Sequence, residues 1–239
     1  MRPWLAIIMF LAVFAPFEQG CHPHMDQTDL RNAKRMMIEA HLKGRGITNA
    51  DVLAAMESVP REKFVDKAYM SQAYDDNPLP IGSGQTISQP YIVALMTQAL
   101  TIKKTDKVLE IGSGSGYQAA VLSELAGEVY TIEIHDTLAT EAAERLKRLG
   151  YSNVAVKCAD GYSGWPEHAP FDKIILTAAP GHVPAPLEAQ LAEGGRIILP
   201  VGGGFIQDLV IGVKKSGVVT YKDITAVRFV PMTGVIEND

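Results

Sequence analysis

From residue 89 onward, short apolar runs alternate with amphipathic segments. The runs at 107–111, 129–134, 153–158, 172–178 and 195–200 are rich in Val and Ile and too short for helices, so they read as strands. Segments 89–100, 117–126, 137–149 and 184–192 read as helices. In 137–149, Leu138, Ala142, Leu146 and Leu149 recur at helical spacing, and Gly150 supplies the stop. Strands and helices alternating at this interval predict a parallel sheet with right-handed crossovers, a doubly wound α/β fold. The pattern then changes. Leu209–Val213, Val218–Tyr221 and Ala226–Val230 are strand-like with short connections, and they predict an antiparallel addition at one sheet edge. Ahead of residue 89 the periods are helical: 27–43 places Leu30, Ala33, Met37 and Ala40 on one face, and Asn49 is set to cap a helix over Ala50–Ser58 that Pro60 stops. The stretch 61–85 has little period, but Phe64, Val65, Tyr69 and Tyr74 anchor it as an ordered loop. The expected divisions are 1–24, an apolar leader; 25–88, a helical extension with a substrate loop; and 89–239, a ligand-binding domain.

The strand at 107–111 runs into Glu110-Ile111-Gly112-Ser113-Gly114-Ser115-Gly116-Tyr117. A strand, a glycine turn and a helix bring bare backbone close to a nucleotide-like ligand. The spacing is G-x-G-x-G, whereas a dinucleotide fingerprint places its third glycine one residue later, where Tyr117 stands here. Glu110 at the start of the turn repels a pyrophosphate and suits a cation. S-adenosylmethionine carries an adenosine, an amine and a sulfonium, with no phosphate. In such sheets ligands lie beyond the carboxyl ends of the strands, so the polar residues there are the candidates. Glu133, about 20 residues past the turn, can accept both ribose hydroxyls. Asp160-Gly161 can read the adenine, and the small residues Ala178-Ala179-Pro180 leave room above the sheet. Taken singly, Glu133 is equally an exposed loop acid and Asp160-Gly161 an ordinary turn. Acids at three consecutive strand ends carry more weight than any one. The expected donor contacts are Glu110, Gly112, Gly114, Gly116, Glu133, Asp160 and Gly161.

A second constellation is Pro80-Ile81-Gly82-Ser83-Gly84-Gln85-Thr86-Ile87-Ser88-Gln89-Pro90. Ser88 is placed to cap the helix at 89–100, with Pro90 in its first turn. Capping alone requires neither the glycines nor the paired hydroxyls of Thr86 and Ser88. A helix start with free N–H groups is also an anion site, able to hold a carboxylate against a methyl donor.

Composition narrows the partners. The 239 residues are 47% apolar, enough for one α/β domain and an extension; 22 basic against 27 acidic residues give a net charge of −5 with no basic cluster, which argues against nucleic acid. The two cysteines form no disulfide or zinc pattern, and Cys158, in an apolar run, reads as a small core residue. Cys21-His22-Pro23-His24 lacks further metal ligands nearby, and no metal is expected. The apolar run from Trp4 to Phe17 is short for a membrane span and suits a signal-peptide core, with Cys21 as a lipid-anchor point. Alternatively the start is misassigned and Met25 opens a cytosolic chain. The donor is made in the cytosol, which favours the cytoplasmic reading over export to the periplasm.

The block Leu79 to Tyr91 resembles the signature of protein-L-isoaspartate O-methyltransferases. So do Val59-Pro60-Arg61-Glu62-Lys63-Phe64-Val65, Val108 to Tyr117, Gly194-Gly195-Arg196 with Leu199-Pro200-Val201-Gly202, and Val227-Arg228-Phe229-Val230-Pro231. The likeness spans residues 27 to 234, and the Thr86-Ile87-Ser88 block sets it apart from methyltransferases at large. It implies the Rossmann-like class I methyltransferase fold, S-adenosylmethionine as donor, and methylation of the α-carboxylate of isoaspartyl residues in aged proteins. It also implies a functional serine at Ser88, with Thr86 and Ile87 beside it on the substrate. The apolar leader departs from the family's cytosolic pattern, and Ala159 stands before Asp160 where many members of the family have glycine. A carboxylate is ionised at neutral pH, so no strong base is needed and none of the histidines is demanded; His182, just past Pro180, is the one nearest the expected pocket. Arg228 to Pro231 offers an edge to an extended peptide. The expected protein is a monomer. The rival readings are another methyltransferase of this fold and an exported or lipid-anchored binding protein without catalysis.

Overall fold

Apolar side chains on both faces of the central strands leave them no stable place except between two layers of helices. The computed structural model describes residues 26–238 and has this arrangement. In chain order it contains α1 (Gln27–Met36), α2 (Ala50–Ser58), β1 (Leu79–Gly82), β2 (Gln85–Ile87), α3 (Pro90–Leu100), β3 (Lys107–Ile111), α4 (Tyr117–Ser123), β4 (Glu128–Glu133), α5 (Asp136–Arg148), β5 (Val154–Cys158), β6 (Phe171–Leu176), α6 (Ala185–Gln190), β7 (Leu191–Val201), β8 (Gln207–Lys215) and β9 (Val218–Val227). The seven-stranded sheet has the order β5-β4-β3-β6-β7-β8-β9. Strands β3 to β7 pair in parallel, and β8 and β9 pair antiparallel at one edge. The expected α/β class and its antiparallel edge are both present.

The chain lays down β3, β4 and β5 in one direction and then returns to place β6 on the other side of β3. Strand order therefore reverses between β3 and β6, and a crevice opens there beyond the carboxyl ends. Register levels those ends. Ile111 pairs with Ile132 and with Leu176, so Gly112, Glu133 and Thr177 follow in one row. Helix α5 packs through Leu138, Ala142 and Leu146, all buried. Each such leucine contributes roughly 1.5–3 kcal/mol on burial. Gly150, at φ 88°, provides the expected stop.

The N-terminal helices join this core. Met37, Met56 and Phe64 pack in one cluster with Leu100, Tyr117 and Leu122. Helix α1 continues as a π-helical turn over Met37–Leu42, and Asn49 caps α2 by accepting from the Val52 N–H at 3.0 Å. Within 61–85, Phe64 and Tyr74 are buried as expected, but the stretch also forms 3₁₀ turns and most of the β1–β2 hairpin, which its glycines hid from a period-2 reading. Arg61 is fully buried there, its Nε donating to the Ala73 carbonyl (2.7 Å) and its guanidinium 4.7 Å from the Tyr117 ring centre. Two further expectations are corrected. The tail contains two strands, not three, because β9 runs unbroken from Val218 to Val227, and beyond it Pro231 makes a single bridge to Ala179. Cys158 is exposed, not core, because β5 is the edge strand. The leader, with Cys21 and Met25, lies outside the described residues. Among the described residues no helix is long and apolar enough to cross a membrane.

Candidate active site

A cavity of about 780 Å³, its open mouth included, occupies the crevice at the strand reversal. Its floor is the turn after β3. Gly112, Gly114 and Gly116 have φ of 99°, 50° and 87°, which side chains disfavour. The turn is braced on three sides. The Gly112 N–H donates to the Ile132 carbonyl (2.8 Å). The Gly114 N–H donates to Glu133 Oε2 (2.8 Å). The Thr177 hydroxyl reaches the carbonyls of Ile111 (3.0 Å) and Gly112 (2.6 Å). A Cβ on Gly112 would overlap the Thr177 hydroxyl, and one on Gly161 would overlap Ile111. Both glycines are present so that backbone can lie where a side chain has no room.

The facing wall is the β1–β2 hairpin and its exit. Gln85, Thr86, Ile87 and Ser88 line the cavity. Ser88 does not cap α3, as its position in the sequence implied. The cap position is Gln89, with no side-chain bond to the helix, and the first-turn N–H of Tyr91 donates instead to Asp76 Oδ1 (3.0 Å). Asp76 also accepts from Gln89 Nε2 (2.8 Å) and pairs with Arg45. This carboxylate fills the helix start, which excludes the helix end as an anion site. The Ser88 hydroxyl therefore borders the cavity with no hydrogen-bond partner among the described residues.

Electrostatics select the ligand. Among the described residues lining the cavity there is one carboxylate, Glu133, and no lysine or arginine. Such a wall rejects phosphate and accepts a cation. Behind it Glu110 is fully buried. The neighbouring Thr131 hydroxyl is committed to Ser113 (2.6 Å), and neither Glu110 carboxylate oxygen has a partner of sound geometry. Burial pushes its pKa up to about 8; Thr131 opposes the shift, and the charge of Glu133 adds to it. Because the folded value lies above the unfolded one, the native state holds this proton more tightly. Stability should therefore fall as pH rises from about 4.5 to about 8 and then level off. Thermal melts of the ligand-free protein should show this decline, and Glu110→Gln should flatten it; an equal slope in both proteins would refute the assignment.

The structure brings Thr86, Ile87, Ser88, Gly112, Gly114, Glu133 and Gly161 to one cavity, as expected. Glu110, Gly116 and Asp160 do not line it. Glu110 lies beneath it, and a Cβ on Gly116 would press on Leu146 of α5, so that glycine serves helix packing. Asp160 accepts from the N–H groups of Tyr162 (2.8 Å) and Val235 (2.7 Å). It thereby ties down the segment after β9, whose Met232 and Thr233 line the cavity. His182 does not line it, whereas His135 does, with its ring 3.4 Å from Gln85 Nε2. Thr177, Asp76 and, in the tail, Met232 and Thr233 were not anticipated, whereas Val230 and Pro231 belong to the segment offered above to the substrate. The one available signal was Thr177's place at a strand end.

Comparison with known proteins agrees with this geometry. The family described as Protein-L-isoaspartate(D-aspartate) O-methyltransferase matches residues 32–237. A Protein-L-isoaspartate O-methyltransferase 2 of Shewanella sediminis is 49% identical over 98% of this chain and 96% of its own length. A Protein-L-isoaspartate O-methyltransferase of Opitutus terrae is 54% identical over 84% of this chain and 87% of its own. Among solved structures, one protein-L-isoaspartate O-methyltransferase superposes with a TM-score of 0.78 at 32% identity, covering 85% of this chain and 67% of that one. Another, a putative one from Plasmodium falciparum in complex with S-adenosyl-L-homocysteine, gives 0.74 at 27% identity, covering 84% and 98%.

Proposed function

Since the chain belongs to the protein-L-isoaspartate O-methyltransferase family, and so is an S-adenosylmethionine-dependent enzyme that esterifies isoaspartyl carboxylates to initiate protein repair, we propose that Ser88 positions the carboxylate that receives the methyl group. The observation that carries this role is the unpartnered Ser88 hydroxyl on the cavity wall across from the glycine turn. The bound donor supplies a methyl group on a sulfonium. The substrate supplies an oxygen that is already ionised at neutral pH, so no residue has to remove a proton. The chain has to orient that oxygen and keep water away from it. A neutral hydroxyl donating to one carboxylate oxygen aims the other without neutralising it, as an arginine would. Thr86 and Ile87, on the same strand, frame the substrate backbone.

Gly112 and Gly114 offer the donor a close backbone surface. Glu133 uses one lone pair on each oxygen for the N–H groups of Gly114 and His135 (3.0 Å), which leaves further acceptor sites for ribose hydroxyls. Gly161 borders the adenine end and Asp160 supports it from behind. Glu110, buried beneath the turn and holding its proton, supports the floor and does not touch the donor. One chain supplies both walls, so we propose a monomer, working in the cytosol where the donor is made; fractionation of cells producing the natural protein tests the location. The activity is tested with an isoaspartyl peptide and its aspartyl twin. Methyl transfer to the first alone is expected. Transfer to both or to neither would overturn the assignment.

A further inference from the structure

Phe205 and Ile206 are 68% and 66% exposed, adjacent apolar residues on the turn between β7 and β8. Isolated exposed hydrophobics are ordinary, but an exposed apolar pair held in a fixed place is not. This turn is held. Gln207, itself buried, donates from Nε2 to the Gly204 carbonyl (2.6 Å) and accepts the Phe229 N–H (2.8 Å) at Oε1. The Gly202 N–H donates to the Pro180 carbonyl (3.0 Å). The exposed Arg228 places its guanidinium 3.8 Å from the Phe205 ring centre. It has no ion-pair partner among the described residues, so the edge donors of its planar group remain available to a carboxylate.

Topology sets where this surface lies. β7 runs parallel to β6, and two antiparallel pairings make β9 parallel to β7. The end of β7 and the exit of β9 therefore share the carboxyl edge of the sheet with the cavity. Val230, two residues past Arg228, lines the cavity, as does Ala178, two residues before Pro180. The chain segments that carry this surface thus run into the cavity wall, on the sheet edge where a polypeptide would present its isoaspartyl group.

We infer that Phe205, Ile206 and Arg228 form an extended subsite for the substrate polypeptide, one that takes an apolar side chain and an acidic side chain flanking the isoaspartyl residue. This rests on the methyltransferase reading above and adds to it a preference among damaged sequences. Stacking keeps the guanidinium beside the ring, so one side chain of the substrate packs on Phe205 and Ile206 while a neighbouring carboxylate meets Arg228.

The test uses three isoaspartyl hexapeptides differing only in flanks: leucine with glutamate, leucine with lysine, and glycine throughout. Steady-state methylation by the whole protein gives kcat and KM for each. The leucine–glutamate peptide should exceed the glycine peptide in kcat/KM by about tenfold, carried by KM, in line with loss of a small contact cluster. In a Phe205→Ser, Ile206→Ser variant that ratio should collapse toward one. In Arg228→Glu the order of the glutamate and lysine peptides should reverse. Ratios that are the same in parent and variants, or methylation of all three peptides at one efficiency, would overturn this subsite alone. Methylation of none would overturn the underlying activity and the subsite with it.

Discussion

Ser88→Ala should lower kcat on an isoaspartyl peptide by about a hundredfold or more, the usual cost of removing one well-placed hydroxyl or amide donor from a reacting oxygen. Affinity for the donor, measured by calorimetry, should stay within about twofold, because the contacts proposed for the donor lie on other elements. The split between the two readouts distinguishes a positioning role from a structural one. Asp76, not Ser88, caps α3, so the alanine removes no helix cap, and its melting temperature should match the parent. Turnover at the parent rate would remove Ser88 from the reaction. A fall in stability of the size seen on losing a cap would show that the structural account of Asp76 is wrong.

Gly112→Ala should abolish donor binding detectable by calorimetry and destabilise the fold by about 3 kcal/mol or more, combining positive-φ strain with overlap in a packed site. The backbone there has φ 99°, and the new Cβ would meet the Thr177 hydroxyl that braces the turn. The two contributions are separable. Gly112→Ala with Thr177→Ala removes the overlap and keeps the strain, so it should melt above the single variant and still below the parent. Donor binding at parent affinity in Gly112→Ala would refute the close backbone approach.

Much of this was legible in the sequence because it is encoded locally. The glycine turn, Glu133 and Gly161 sit at strand ends that hydrophobic period alone locates, and parallel register then levels them. The Thr86-Ile87-Ser88 block was legible as a motif. Its surroundings were not. Asp76 caps a helix that begins fourteen residues later, and nothing in the local pattern distinguishes it from the exposed acid at Asp75. Ser88 therefore looked like the cap. Cys158 was misjudged because period reports an apolar run but not whether its strand lies at the centre or the edge of a sheet. Asp160 was legible as a strand-end acid, but its bond to Val235, 75 positions away, depends on the tertiary course of the tail.

That tail has a consequence for the order in which the site is completed. The Met232 N–H donates to the Ala179 carbonyl (2.8 Å), Val235 is fastened by Asp160, and Met232 and Thr233 wall the cavity. All of them follow the last strand. A ribosome exposes the glycine turn more than a hundred residues before this wall, so a growing chain that has already formed its sheet still presents a half-open pocket. The pocket is therefore walled on this side only once residues 228–235 have doubled back onto the sheet.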